Sequence, residues 1–302
     1  MMEIPCGVCG SSDRRVRYRS TVDRACKDGR TDPYRGHYQI NDCLTCGAVY
    51  SSPIFETGEV NRMYTDAHET NVAAGEAHNI RRTMGLHYHL VRPFLAERKR
   101  ILDIGCDVGF ILDTARADRF EELYGVEPNR AAADVAARLP ATIYAGEFYE
   151  NVAFPNSYFD LITLIHVLDH LVSPSRVLAR VRDQLRPGGI VLAVVHNVRS
   201  ILGLGFRERF PAYNLYHHYF FSKGTLRNLF HRNGFEVIRV NATRNCYSIG
   251  FLASRVPGLS ERAKAATTKV LDAIGVGGVA LTIPLGNIAI VARRPTQSSP
   301  GR

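Results

Sequence analysis

Between residues 100 and 292 short apolar runs alternate with amphipathic stretches. Ile101-Leu102-Asp103-Ile104, Leu123-Tyr124-Gly125-Val126, Ala141-Thr142-Ile143-Tyr144, Phe159–Ile165 and Ile190–Val195 are each of strand length and stop at a Gly, an acid or a His. Phe159-Asp160-Leu-Ile-Thr-Leu-Ile165 is almost wholly apolar, the pattern of a parallel strand covered on both faces. Asn129 to Leu139 is Ala-rich and reads as a helix. Ser173-Pro174 supplies a capping side chain and a first-turn proline, so Arg176 to Leu185 is expected to be helical, with Pro187-Gly188-Gly189 as its stop. Alternating strands and helices predict an α/β fold with a doubly wound, mostly parallel sheet. Phe235–Val240 and Gly286–Ala292 supply two last strands.

The pattern differs outside this region. Residues 1–56 hold two Cys-x-x-Cys-Gly knuckles, with Arg-Gly-His-Tyr-Gln-Ile-Asn alternating like a strand that leads into the second. Residues 57–99 read as a helical lid or linker, with a long helix from Glu76 to Arg98. His78, His87 and His89 lie in it and could line the site, although scattered histidines on a polar helix more often face solvent. The main domain then covers 100–294, with an aromatic and His-rich insertion at 198–222, read as a substrate wall or a packed aromatic cap, and a helical insertion at 252–283. A disordered tail is expected at 295–302.

The first of the strand ends carries the most chemistry. Gly105 can take backbone angles closed to other residues, and Gly109 lets a following helix pack closely, so main-chain N–H groups face a ligand there. The next strand ends on Glu127, about the spacing at which an acid meets ribose hydroxyls in nucleotide-binding folds. Dinucleotide dehydrogenases place an acid similarly, but their fingerprint is Gly-x-Gly-x-x-Gly, and this loop reads Gly-Cys-Asp-Val-Gly.

Taken together, Leu102-Asp103-Ile104-Gly105-Cys106-Asp107-Val108-Gly109, Gly125-Val126-Glu127-Pro128-Asn129 and Leu185-Arg186-Pro187-Gly188-Gly189 resemble the class I S-adenosylmethionine-dependent methyltransferases, over roughly residues 80–241. The resemblance implies a seven-stranded Rossmann-like sheet whose last two strands form an antiparallel pair. It also implies S-adenosyl-L-methionine as cofactor, held by Asp103, Gly105, Cys106, Gly109, Glu127, Pro128 and His166, with Glu147 and Phe148 at the adenine ring.

Composition narrows the class. The 302 residues are 45% hydrophobic and 22% charged, which excludes bulk disorder and allows one large core with a small added module. Seven cysteines in a chain of this length do not form a secreted disulfide framework, and no charged-then-apolar signal pattern opens it, so a reducing cytoplasm is expected. The most apolar late stretch, Val276 to Ala292, is interrupted by Pro284, Gly286 and Asn287 and is too broken to span a bilayer. The amphipathic 252–283 stretch could still touch a membrane surface, close the pocket or dimerise. Cys6, Cys9, Cys43 and Cys46 have the spacing of a structural, tetrahedral zinc site, and Cys26 has no partner pair. The formal charge of +9 is carried largely by Arg, seven of them in the spacer between the knuckles. Such a surface suits RNA or a phosphorylated substrate, although a hydrated ribbon surface explains it equally.

A zinc knuckle ahead of this domain resembles sugar C-methyltransferases and related glycan or natural-product methyltransferases. The function expected is therefore methyl transfer to a small-molecule, sugar or glycan acceptor in cell-surface polysaccharide or natural-product biosynthesis. An RNA methyltransferase and an inactive zinc-ribbon interaction protein are the alternatives. The Tyr216-His217-His218-Tyr-Phe-Phe-Ser222 run points to His217 or His218 as general base, with His170 and His196 next.

Overall fold

The computed structural model describes residues 1–27, 30–65, 75–256, 259–284 and 286–296; the tail expected to be disordered lies, from residue 297 onward, outside them. Strand β1 (Arg14–Tyr18) is followed by the short helix α1 (Val22–Ala25) and a two-residue pair, β2 (Cys26–Lys27) and β3 (Arg30–Thr31). β4 (Ile40–Cys43) and β5 (Val49–Ser51) complete the ribbon strands, so the second knuckle opens at the end of a strand. Helices α2 (Thr57–Thr65) and α3 (Ala77–His89) come next, and α3 stops well before Arg98 because a short 3-10 turn with Pro93 at its start follows it. His87 on α3 is fully buried rather than solvent-facing, since that face of the helix packs inward.

The alternating unit then begins: β6 (Arg100–Ile104), α4 (Phe110–Ala117), β7 (Glu122–Glu127), α5 (Arg130–Ala136), β8 (Thr142–Ala145), β9 (Phe159–Ile165), α6 (Pro174–Gln184) and β10 (Leu185–His196). All seven residues of β9 are buried, as its unbroken apolar pattern requires. β10 starts directly at Leu185 and runs through Pro187-Gly188-Gly189, so the helix ends one residue earlier than its sequence suggested. The chain closes with α7 (Ile201–Phe206), β11 (Tyr219–Phe220), α8 (Lys223–Arg232), β12 (Glu236–Ala242), β13 (Asn245–Ser248), α9 (Ile249–Ser254), α10 (Glu261–Ala273), β14 (Ala280–Ile283) and β15 (Asn287–Arg293).

The main sheet has seven strands in the order β12-β15-β10-β9-β6-β7-β8. β8, β7, β6, β9 and β10 are parallel, and β15 runs antiparallel to both β10 and β12. The chain leaves β6 toward β7 on one side and reaches β9 on the other, so the crevice at their C-terminal ends is a switch point of the kind that binds ligands.

The ribbon is closed by a strand from the main domain. β11, from the 198–222 insertion, pairs antiparallel with β5 and completes a four-stranded sheet β1-β4-β5-β11. Phe221 beside it forms a parallel bridge with Asn197 at the end of β10, so the insertion joins the two sheets. One apolar cluster accordingly runs from Ile4, Tyr38 and Tyr50 through Tyr219 and Phe221 to Leu102 and Ile162. Gly7 permits the closest approach: a Cβ there would come within 2.4 Å of the Tyr219 hydroxyl and 2.9 Å of Pro174. Part of the 252–283 stretch is also structured by pairing, as β14 forms a two-stranded antiparallel sheet with β13, which lies against α3 through Cys246 N–H donating to Thr83 Oγ1 at 2.8 Å.

Truncating the fully buried Phe220 to Ala should cost about 3–5 kcal/mol. Urea unfolding followed by fluorescence and circular dichroism should show one coincident transition at lower urea. An early ribbon transition that leaves the main sheet folded would contradict the joined core.

Candidate active site

A cavity of about 760 Å³ opens at the C-terminal ends of β6, β7 and β9. Asp103, Gly105, Cys106, Glu127, Pro128, Phe148, His166 and His170 all line it. The opposite wall is built by Asn61 and Tyr64 of α2, Ile80 and Met84 of α3, and Asn245 and Tyr247 of β13.

The turn after β6 is set by backbone conformation. Gly105 has φ 69° and approaches Val167 so closely that a Cβ would lie 2.5 Å from its methyl group. Gly109, at φ 85°, caps α4 and packs on Leu139, outside the cavity lining. Between them the Asp107 N–H donates to Glu127 Oε2 at 2.9 Å, and Asn129 N–H donates to Oε1 at 2.8 Å. The Glu127 carboxylate is thus fixed at the cavity edge. Burial pushes its pKa up to about 7 despite these two hydrogen bonds. Asp103, pushed up to about 8 by burial, accepts a hydrogen bond from Thr163 Oγ1 at 2.6 Å. Glu147 is exposed and does not line the cavity, whereas Phe148 does.

A second group of side chains lies at the other end, where His166 and His170 line the cavity and Asp169, His196 and His217 pack against them outside the lining. Asp169 is fully buried, and its Oδ2 accepts from His196 Nδ1 at 2.7 Å and from the His196 main-chain N–H at 3.2 Å. Burial opposes ionisation, but the His196 hydrogen bond and the surrounding imidazoles hold the carboxyl well below the usual range. The rings of His170 and His217 lie 4.3 Å apart, those of His196 and His217 4.7 Å, and those of His166 and His196 4.8 Å. Burial lowers the pKa of His170, sets that of His166 at about 3 and takes that of His217 well below the ordinary value. His217 Nδ1 lies 2.8 Å from the Ala212 carbonyl. His218 is fully buried behind this group, with its ring against Tyr38 and a pKa lowered by burial to about 4; it does not reach the cavity. Tyr64 Oη sits 2.8 Å from His170 Nδ1. Neither Tyr64 nor the β13 residues carried a sequence signal, because they enter from segments without a motif.

The four knuckle cysteines converge. Sγ atoms of Cys6 and Cys46 are 3.6 Å apart and those of Cys9 and Cys43 3.5 Å, and all four lie within 4.8 Å of one another. A tetrahedron of ~2.3 Å metal–sulfur bonds has edges of about 3.8 Å, so the spacing suits a metal. Burial raises the Cys43 thiol, but N–H groups of Cys46 and Thr45 outweigh it and leave the group below its ordinary value. Gly10 and Gly47, at φ 77° and 71°, make the turns behind the knuckles. Cys26 is exposed and stands apart from this cluster.

The family model described as a methyltransferase domain matches residues 77–240, more than half of the chain. The chain belongs to this methyltransferase domain family. The sheet order is that of a class I methyltransferase fold, and the fold supports S-adenosylmethionine as its ligand. The ubiquinone biosynthesis O-methyltransferase of Paraburkholderia phymatum is 30% identical over 112 residues, 34% of this chain and 48% of that protein. That of Aeromonas salmonicida is 33% identical over 100 residues, 31% of this chain and 41% of that protein. The chain thus spans about half or less of the length of these curated relatives. Among solved structures, a Bacillus halodurans protein described as a methyltransferase superposes with a TM-score of 0.52 at 15% identity, covering 70% of this chain and 99% of that one. A chain from the Haloferax volcanii complex of the Trm112 methyltransferase activator with a methyltransferase gives 0.51 at 15% identity, covering 71% and 92%. These structural likenesses concern the fold of the methyltransferase domain alone.

The raised Glu127 pKa has a definite sign. A carboxyl whose folded pKa exceeds its unfolded value, here about 7 against 4.5, contributes stability that is full below pH 4.5 and lost as pH rises through 7. Thermal melts without added nucleoside, run from pH 5 to 8, should show Glu127→Gln gaining on the wild type with rising pH. A constant difference across that range would contradict the raised value.

Proposed function

We propose that this protein is an S-adenosylmethionine-dependent enzyme that methylates a hydroxyl oxygen of a small-molecule or carbohydrate acceptor. One arrangement carries the reading: a cavity with a fixed carboxylate, Glu127, at one end and, at the other, His166 and His170, with the Asp169–His196 pair packed against them outside the lining. The bound cofactor would supply an electrophilic methyl group.

The cavity residues fit that cofactor. Glu127 uses both oxygens on main-chain N–H groups, and each oxygen keeps a lone pair for a ribose hydroxyl. Asp103 and Glu127 line the same end of the cavity, and a bound cationic sulfonium and ammonium would favour their ionised forms. Phe148 offers an apolar face for a purine. With the donor held there, the chain's task is to align an acceptor, exclude water and take up a proton. Asp169 holds His196 by its Nδ1–H, which leaves Nε2 as a proton acceptor next to His217, the triad logic of an oriented base. His217 and His218, the bases favoured from sequence, instead lie against the Ala212 carbonyl and inside the aromatic cap.

The O-methyltransferase names of the curated relatives support an oxygen acceptor. The ribbon surface favours a small molecule over RNA, because Arg14 is tied to Glu3, and Arg15 and Arg17 to Asp42. In this reading Cys6, Cys9, Cys43 and Cys46 hold a structural Zn²⁺, and residues 1–56 form a zinc ribbon fastened by β11 rather than a free module. Its first knuckle buttresses the cavity wall, since Ser175 on α6 donates to the Gly7 carbonyl at 2.7 Å and Arg176 and Val177 line the cavity.

Metal analysis should find one tightly held zinc that Cys43→Ser releases; zinc unchanged in that variant would contradict the ligand set. Replacing His196 by Asn should lower turnover about 10²–10⁴-fold with cofactor affinity unchanged in calorimetry, whereas full turnover would remove His196 as the base.

A further inference from the structure

Asp169 uses only one of its carboxylate oxygens. Oδ2 takes both His196 N–H groups, while Oδ1 is buried with no hydrogen-bond partner. A carboxylate oxygen left unsatisfied inside a protein is unfavourable by a few kcal/mol, so an unused one aimed at other ligating atoms needs a reason. What faces it is a pair of imidazoles. His170 Nε2 is 3.9 Å from Oδ1, too far for a hydrogen bond but close to the spacing of two ligands on one ion. The ligating atoms of Asp169, His170 and His217 all lie within 4.8 Å of one another.

The hydrogen bonds around these rings fix which nitrogen points inward. The Ala212 carbonyl can only accept, so His217 Nδ1 carries the proton and Nε2 keeps its lone pair. We assign the Tyr64 proton to the Tyr216 carbonyl at 3.3 Å, so that the hydroxyl accepts from His170 Nδ1 at 2.8 Å, the tautomer that leaves His170 Nε2 facing Asp169. Three lone-pair donors therefore converge with no proton among them. Every outward nitrogen is held by an acceptor, as ligating histidines in metal sites usually are, and His196 orients the carboxylate from behind.

We propose that Asp169 Oδ1, His170 Nε2 and His217 Nε2 form a second metal site, for a divalent transition cation, in the wall of the cavity. Two imidazoles and one carboxylate suit zinc, cobalt, iron or nickel and leave coordination positions open. His170 lines the cavity while Asp169 and His217 lie outside the lining, so the cavity reaches the site at His170. Resting on the methyltransferase reading above, the site selects acceptors whose hydroxyl can bind a cation, with a neighbouring oxygen as second ligand. The cation would lower the hydroxyl's pKa beside His196. The O–CH₃ bond then forms as the sulfonium C–S bond breaks, the electron pair stays on sulfur and the hydroxyl proton passes to His196.

The test uses the full chain with its thiolate site filled by zinc and adds Co²⁺. One further equivalent should bind, and X-ray absorption at the cobalt edge should show only nitrogen and oxygen ligands, including two imidazoles. His170→Ala and His217→Ala should each weaken that binding at least about tenfold while the zinc equivalent stays. If either variant melts below the assay temperature, the wild-type stoichiometry and ligand shell decide alone. No second equivalent, sulfur in the cobalt shell, or unchanged affinity in both folded variants would overturn the proposal. S-adenosylmethionine calorimetry on the same samples keeps the two readings apart: cofactor binding without a second metal sinks this site only.

Discussion

The organisation of this molecule depends on one buried residue, Asp169. Its side chain takes both N–H groups of His196 at the end of β10, and its carbonyl accepts from His218 and Tyr219 N–H at 2.8 and 3.1 Å. Those two acceptors fix where the 198–222 insertion enters the core. β11 follows at once and pairs with β5, so the position of Asp169 sets the register between main sheet and ribbon. Ser51 reinforces the join from the ribbon side, its N–H donating to the His218 carbonyl at 2.8 Å and its hydroxyl to that of His217 at 3.2 Å. A buried residue held at both its Oδ2 and its carbonyl tolerates little displacement, because any shift strips partners from polar atoms in a poorly solvated interior.

The cavity inherits its shape from this join. One end belongs to the sheet, where Gly105 and Glu127 lie at the ends of β6 and β7. The opposite end is assembled from segments distant in sequence. Tyr64 touches His170, Phe148 and Tyr216, and so binds α2 to the β8 loop and to the insertion. Asn245 and Tyr247 reach the cavity because β13 is hydrogen-bonded along α3. That end of the cavity is therefore built by parts added to a common sheet, the usual division between scaffold and site.

Legibility in the sequence follows the same division. The strand ends were readable because each apolar run obeys a short period and stops at a residue with backbone or side-chain chemistry: Gly105, Glu127, His166, His196. The four cysteines were readable from spacing alone. What could not be read was pairing between distant segments. Nothing in Tyr219-Phe220 announces that these residues complete the ribbon sheet, and nothing in Asn245–Ser248 announces an antiparallel pairing with Ala280–Ile283 across two helices. His87 was misplaced because a helical histidine shows no mark of burial until its neighbours are known. The Tyr-His run misdirected attention to His218 for a related reason, since alternation along an extended segment sends adjacent side chains to opposite faces. One face meets the Asp169 cluster and the other the aromatic core.

The account stands on a cofactor lying between Glu127 and the Asp169 cluster. A crystal structure with S-adenosylhomocysteine tests this most directly. The ribose hydroxyls should hydrogen-bond Glu127, with the sulfur directed toward His170 and His196. Clear density for the nucleoside elsewhere, or a ribose turned away from Glu127, would contradict it.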